Sequence, residues 1–195
     1  AAVYADESGI RELIKMGVKD SKKIADKKTL TLAKEIRKNF EYEQVVISPP
    51  KYNELYPKFG NLNTFLAWAH AAANSKLIQK TQCRRVIIDQ FASKSLIAKA
   101  VEKKEPGIDL ILRHRAEEDV VVAAAAILAR ASFLMGLEAL GEKLELSLPK
   151  GASQKTKAVA QKIVQSYELE VLDQLCKKHF QTYQEVVQNA QGIIP

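Results

Sequence analysis

Arg85-Val86-Ile87-Ile88-Asp89-Gln90-Phe91 is an apolar run that ends on a carboxylate. It reads as a buried strand, and a lone acid at its end needs a reason. Burying an unpaired carboxylate is costly unless a partner or a metal compensates it. Two readings fit: Asp89 caps the turn into the next segment, or the strand end holds it toward a metal ion.

The pattern on either side of this strand sets the fold class. Residues 1–5 read as the tail of another strand, and 10–16 as a short amphipathic helix closed by Gly17. Asp26 reads as the N-cap of a helix over 27–39. Val45-Val46-Ile47 forms a short strand within 43–48, stopped by Pro49-Pro50. A brief helix over 51–57 precedes a long one over 61–79. After the Asp89 strand come a helix over 94–104, a strand over 109–112, a helix from Glu117 to about Lys143, and a helical region over most of 154–189. Helices and strands mixed along one chain predict a mixed α/β architecture, a central sheet flanked by helices.

The chain has 195 residues, enough for one ordinary domain with a sound core. No signal peptide is visible and no apolar run reads as a membrane span, so no membrane partner is expected. The chain opens on Ala1-Ala2-Val3-Tyr4, in the middle of a strand and without Met. Residues upstream are therefore expected to be missing from it. Cys83 and Cys176 fit no metal-ligand spacing and read as free thiols of a reducing, cytoplasmic compartment. A formal net charge of +7 points to a polyanionic partner, most often nucleic acid.

A second acidic group stands at Glu117-Glu118-Asp119, just before an apolar run over 120–129. Apolar residues all round a helix predict burial on nearly every side. The acids serve as dipole-matched caps, or one of them reaches the interior as a metal ligand. Asp89 and Glu117 then form a pair carried on separate elements. Hard cations such as Mg²⁺ take oxygen ligands of this kind. Two-metal phosphoryl transfer gathers several carboxylates, so two acids are a partial set. Lys19-Asp20-Ser21-Lys22-Lys23 combines ammonium groups with a hydroxyl near Gly17, which suits phosphate contacts or a plain solvated charge run. Pro149-Lys150-Gly151 is a similar candidate ahead of a helix N-terminus. His70, His114 and His179 form no site by spacing.

Several of these stretches resemble one family in order along the chain. Gly17-Val18-Lys19-Asp20-Ser21-Lys22-Lys23 resembles the "GVKDSKK" loop of the type 2 ribonucleases H. Asn61-Leu62-Asn63 through Leu66-Ala67-Trp68-Ala69-His70 is similar to the long helix of the ribonuclease HIII branch. Ile87-Ile88-Asp89-Gln90-Phe91 resembles the strand that bears that family's third active-site carboxylate. Arg115-Ala116-Glu117 with Ala124-Ala125-Ala126-Ile127-Leu128-Ala129-Arg130 resembles the "KAE…AAASIIAR" segment that bears the fourth. Leu148-Pro149-Lys150-Gly151-Ala152 resembles its "LPKGA" loop.

The resemblance implies a ribonuclease H-like fold over 1–195. It also implies endonucleolytic hydrolysis of the RNA strand of RNA–DNA hybrids by a monomeric enzyme that depends on Mg²⁺ or Mn²⁺. One metal would activate water and the other would stabilise the leaving oxygen. Asp89 and Glu117 would be catalytic and metal-binding, with Glu118 as the alternative to Glu117. Glu117 stands one residue closer to Arg130 than the family spacing. Lys19, Ser21, Lys22, Lys150 and Gly151 would contact nucleic acid. The family begins on an Asp-Glu-x-Gly strand that supplies two further acids. Asp6-Glu7-Ser8-Gly9 spells that pattern only 14 residues before Asp20, which leaves no room for the strand that should intervene. The true motif, and a separate N-terminal substrate-binding domain, are therefore expected upstream. A chain with half the acids could instead be a module that binds hybrid without cutting it. A further alternative is another nuclease of the wider superfamily.

Overall fold

The computed structural model describes residues 1–190, which gather into two compact units. The first comprises Ala1–Val46 and Asn61–Leu134. It opens with strand β1 (Ala2–Val3), followed by helix α1 (Glu7–Lys15), a 3-10 turn (Ser21–Lys23), helix α2 (Asp26–Asn39) and strand β2 (Tyr42–Glu43). Its second part carries α4 (Leu62–Thr81), β3 (Arg85–Asp89), α5 (Lys94–Glu102), β4 (Asp109–Arg113), a 3-10 turn (Ala116–Glu118) and the start of α6 (Val120–Glu142). The second unit contains α3 (Pro49–Phe59), the end of α6, α7 (Gln154–Ser166), α8 (Leu169–Leu175) and α9 (Gln181–Ala190).

The strands form two pairs among the described residues. β1 and β2 are antiparallel with Ala2 opposite Glu43, whereas β3 and β4 are parallel with Asp89 opposite Arg113. Parallel pairing demands a crossover, and α5 supplies it. The sequence places the second strand over 43–48, but it forms at Tyr42–Glu43. Val45–Ile47 gain no pairing strand in that register, and Val46 is 72% exposed.

Local chemistry accounts for most of the helix ends. Asp6 caps α1 through Gly9 N–H at 2.8 Å, so that helix starts earlier than the sequence suggests. Gly17, at φ +76°, ends the segment after α1 in the left-handed region, as expected. Asn61 caps α4 by accepting from Thr64 N–H at 2.9 Å. Asp26 is the first residue of α2 rather than its cap, and its carboxylate is engaged elsewhere. Glu117 does not open α6 directly. It sits in the 3-10 turn, and the carboxylate of Asp119 accepts from Val121 N–H at 2.9 Å to start the helix.

Helix α6 organises the first unit. Ala123, Ala124, Ile127, Leu128 and Ala131 are buried against Leu13, Val18, Ile24, Leu32 and Ile36. Alanines on this face let α6 approach α2 closely, and each fully buried Leu or Ile contributes about 1.5–3 kcal/mol. The expectation of burial on nearly every side is corrected: Ala129 is exposed, and Val121, Val122, Ala125 and Ala126 are only partly covered. By length and composition α6 is also apolar enough to cross a membrane, contrary to the sequence reading. In this unit its most deeply buried face is core.

The second unit packs Ala160, Ile163, Leu172 and Val186 at its centre. Asn53 ties α3 to α8, donating from Nδ2 to the Cys176 carbonyl at 2.9 Å and accepting from Lys178 N–H at 3.0 Å. Gly141 sits where a Cβ would collide with the Leu146 carbonyl oxygen, whereas a Cβ at Gly136 would meet nothing within 4 Å. Gly136→Ala is therefore expected to raise stability by up to about 1 kcal/mol through helix propensity. Gly141→Ala should lower it by about 1–3 kcal/mol through overpacking. Thermal denaturation of the two variants side by side checks both signs, and equal shifts would refute the packing argument.

Candidate active site

A cleft of about 460 Å³ opens within the first unit. All five residues of β3 line it, as do residues 1–5 on the β1 side. β3 spends one edge on β4, and β1 spends one on β2. Both strands nevertheless border the same space. The partly covered face of α6, through Val121, Val122, Ala125, Ala126 and Ala129, forms another wall.

Asp89 and Glu117 both line this cleft, and so do Asp20, Ser21, Lys22, His70 and Asp119. Asp89 is delivered by the C-terminal end of β3. Its Oδ1 accepts the backbone N–H of Ala116 at 3.0 Å. That contact needs the chain to turn sharply, and Arg115 adopts the left-handed region at φ 55° to make it. A non-glycine residue held there costs on the order of 1 kcal/mol. The turn thereby fixes one oxygen of Asp89 and brings the adjacent Glu117 to the same wall. Asp89 does not cap the segment that directly follows it: its Oδ1 accepts from a residue 27 positions on, and the side chain lines the cleft.

Glu117 is 25% exposed, and its Oε1 lies 3.9 Å from Lys22 Nζ. Glu118 is exposed and does not line the cleft. Asp119 is committed to capping α6 and to Arg113, 3.3 Å away. Asp6 and Glu7 are exposed, lie outside the cleft lining, and serve α1. Backbone and hydroxyl donors hold the Asp6 carboxyl below the usual carboxylate range, chiefly Gly9 N–H and then Ser8.

His70 reaches the cleft from α4 and stacks on Phe91 with ring centroids 4.9 Å apart. Burial pushes its pKa down to about 4, against the opposing pull of the Asp89 charge. It is therefore neutral at physiological pH. Its stacking partner stands 21 residues along the chain, beyond β3, and gave no local signal. Lys19 is exposed beside the cleft turn, which brings Ser21 and Lys22 but not Lys19 to the lining. Lys150 and Gly151 belong to the second unit. Gly151 has φ +79°, and the loop leads to Ser153, the N-cap of α7.

The donor set fits a divalent cation in part. Asp89 and Glu117 carry hard oxygen donors and line one space. No group of three metal-ligating side chains is gathered among the described residues.

A sequence profile of the family described as Ribonuclease HII matches residues 1–183. The chain belongs to that family. Within the ribonuclease HII family it is similar to ribonuclease HIII of Protochlamydia amoebophila (strain UWE25), at 41% identity over 187 residues, covering 96% of this chain and 62% of that protein. It is 45% identical over 193 residues to ribonuclease HIII of Chlamydia felis, covering 97% of this chain and 64% of the relative. The crystal structure of Bst ribonuclease HIII in complex with Mn²⁺ matches with a TM-score of 0.87 at 28% identity, over 97% of this chain and 64% of that one. The expected ribonuclease H-like fold is thus borne out. The chain spans somewhat under two thirds of the length of these relatives.

Proposed function

We propose that this chain is the catalytic part of an endoribonuclease that hydrolyses the RNA strand of RNA–DNA hybrids. One observation carries the reading: Asp89 and Glu117, from a strand end and a separate turn, line a single cleft with a lysine beside them. Asp89 and Glu117 would hold Mg²⁺ or Mn²⁺, which when bound supplies water activation and stabilisation of the leaving oxygen in two-metal phosphoryl transfer. A Mn²⁺ complex of the similar Bst protein supports this ligand class.

The chain's own residues supply the rest. Ala116 N–H fixes the Asp89 carboxylate so that its free oxygen is aimed before substrate arrives. Pre-aimed charge avoids reorganisation during the reaction. Lys22 and Ser21 contact backbone phosphate, which positions a strand without reading its sequence. Lys19 is a further candidate for phosphate contact, and so, within the second unit, are Lys150 and Gly151. RNA is told from DNA through its 2′-hydroxyls.

The free cysteines are in keeping with a reducing, cytoplasmic compartment, and the nuclease acts there as a monomer in this reading.

The test uses the full-length protein and an RNA–DNA hybrid labelled on the RNA strand. Internal nicks that require Mg²⁺ or Mn²⁺ are expected. Glu117→Gln should reduce the rate by about 10²-fold or more, in the range of lost charge stabilisation, while Glu118→Gln stays within about twofold. The reverse ranking would move the ligand to Glu118. Products shortened only from their ends would replace the endonuclease reading.

A further inference from the structure

Arg130 lies on α6, well away from the acids, yet it is joined to the loop that reaches them. Its guanidinium donates from one nitrogen to the Ser21 carbonyl and from the other to Asp26 Oδ1 at 2.7 Å. This explains why Asp26 does not cap α2. Its carboxylate is spent on Arg130, and Ala25 precedes the helix without a side-chain cap. An arginine fork reads two acceptors at fixed geometry, so it sets orientation as well as distance.

The turn gripped in this way is short and otherwise well held. Val18 and Ile24 anchor it in the core on either side, and Ser21 is buried. Asp20 accepts from Lys22 N–H at 3.0 Å. What these contacts leave undetermined is how the turn lies along α6. From Asp119 to Arg130 the helix runs on the order of 16 Å. Arg130 grips the turn toward one end of that length, and the Lys22 ammonium stands 3.9 Å from Glu117 toward the other. The Lys22 side chain is 82% exposed, so its own packing does not place it. The same helix that follows Glu117 therefore also sets where Lys22 stands.

We infer that Arg130 is a positioning residue: by bridging Ser21 and Asp26 it fixes the Asp20–Lys23 turn so that Lys22 meets substrate phosphate at the Glu117 wall of the cleft. The phosphate role of Lys22 rests on the function proposed above. The mechanical part, Arg130 holding the turn, does not.

The experiment uses the full-length protein with a blunt RNA–DNA hybrid in EDTA, followed by fluorescence anisotropy over a salt series. Lys22→Ala is expected to weaken binding roughly 10-fold and to lower the salt slope by about one, the signature of one lost phosphate contact. Arg130→Ala should do the same although it touches no phosphate. The double variant should be no weaker than the worse single variant by more than about twofold, because coupled residues are non-additive. Arg130→Lys, which keeps the charge but not the fork, and Asp26→Asn should fall between parent and Arg130→Ala.

Hydrogen exchange is read in parallel. The amides of Lys22 and Ile24 should exchange faster in Arg130→Ala, with or without hybrid. A purely structural ion pair would lower the melting temperature without moving the salt slope. Additive losses in the double variant, or unchanged exchange at the turn, overturn the inference. If the parent binds no hybrid, the functional reading fails, and the exchange data still decide whether Arg130 holds the turn. Should Arg130→Ala not fold, Arg130→Lys and Asp26→Asn carry the same comparison.

Discussion

Asp89→Asn in the full-length protein is expected to lose at least about 10³-fold of its cleavage rate on an RNA–DNA hybrid, roughly 4 kcal/mol of transition-state stabilisation. The substitution is chosen to separate charge from shape. Asparagine has the same volume and keeps an oxygen that can accept from Ala116 N–H, the contact that orients the side chain. What disappears is the negative charge and one hard oxygen donor, which a divalent cation needs. Hybrid binding in EDTA should stay within about threefold, because binding of this kind rests on lysine–phosphate contacts. The melting temperature should be close to that of the parent. Single-turnover kinetics with saturating Mg²⁺ or Mn²⁺ measure the loss. A parent-like rate would remove Asp89 from the site, and a large loss of EDTA-phase binding would recast it as a structural residue.

How much of this was legible in the sequence follows from the range of each interaction. Asp89 was visible because a strand reads locally: an apolar run ending on an acid. Glu117 was visible as an acid ahead of an apolar helix. Helix ends set by adjacent residues were read well, as at Asn61 and at Gly17. The misreadings have the opposite character. Asp26 carries every local mark of an N-cap, but Arg130, 104 residues later, takes its carboxylate. Val45-Val46-Ile47 has high strand propensity, yet the register with β1 places the pairing at Tyr42–Glu43. Propensity yields wherever a long-range partner decides.

The site shows the same division. The types of its residues were readable, but the hinge that joins them was not. Arg115 in the left-handed region and the buried Ala116 N–H have no signature in composition or periodicity. The pairing of Asp89 with Glu117, two acids on separate elements, was readable from the residues, and the resemblance to the ribonuclease H family implied a shared role for them. The geometry adds why they face one space: Asp89 is hydrogen-bonded to the residue immediately before Glu117. His70 reached the cleft by stacking on Phe91, a contact between α4 and the segment after β3 that no spacing rule anticipates.

Leu128→Ala should be the most destabilising conservative change in the first unit, by about 2–5 kcal/mol. Leu128 is 0% exposed in the α6 face that packs on α1 and α2. Its neighbours Ala123, Ala124 and Ala131 are already small, so little side chain is available to fill the space left behind. A cavity there would stay open, which puts the cost in the upper part of the range. Ile14→Ala is the control. It removes a similar aliphatic group from α1, but Ile14 is 60% exposed and should change stability by no more than about 0.5 kcal/mol. Urea denaturation read through hydrogen exchange of α6 amides reports the first unit. Equal losses in the two variants would mean that α6 is not the centre of this core. The size of the difference also bears on the site, because the helix that buries Leu128 follows directly on Glu117 and carries Arg130. A stable α6 is what keeps the cleft acid and the lysine turn in one frame.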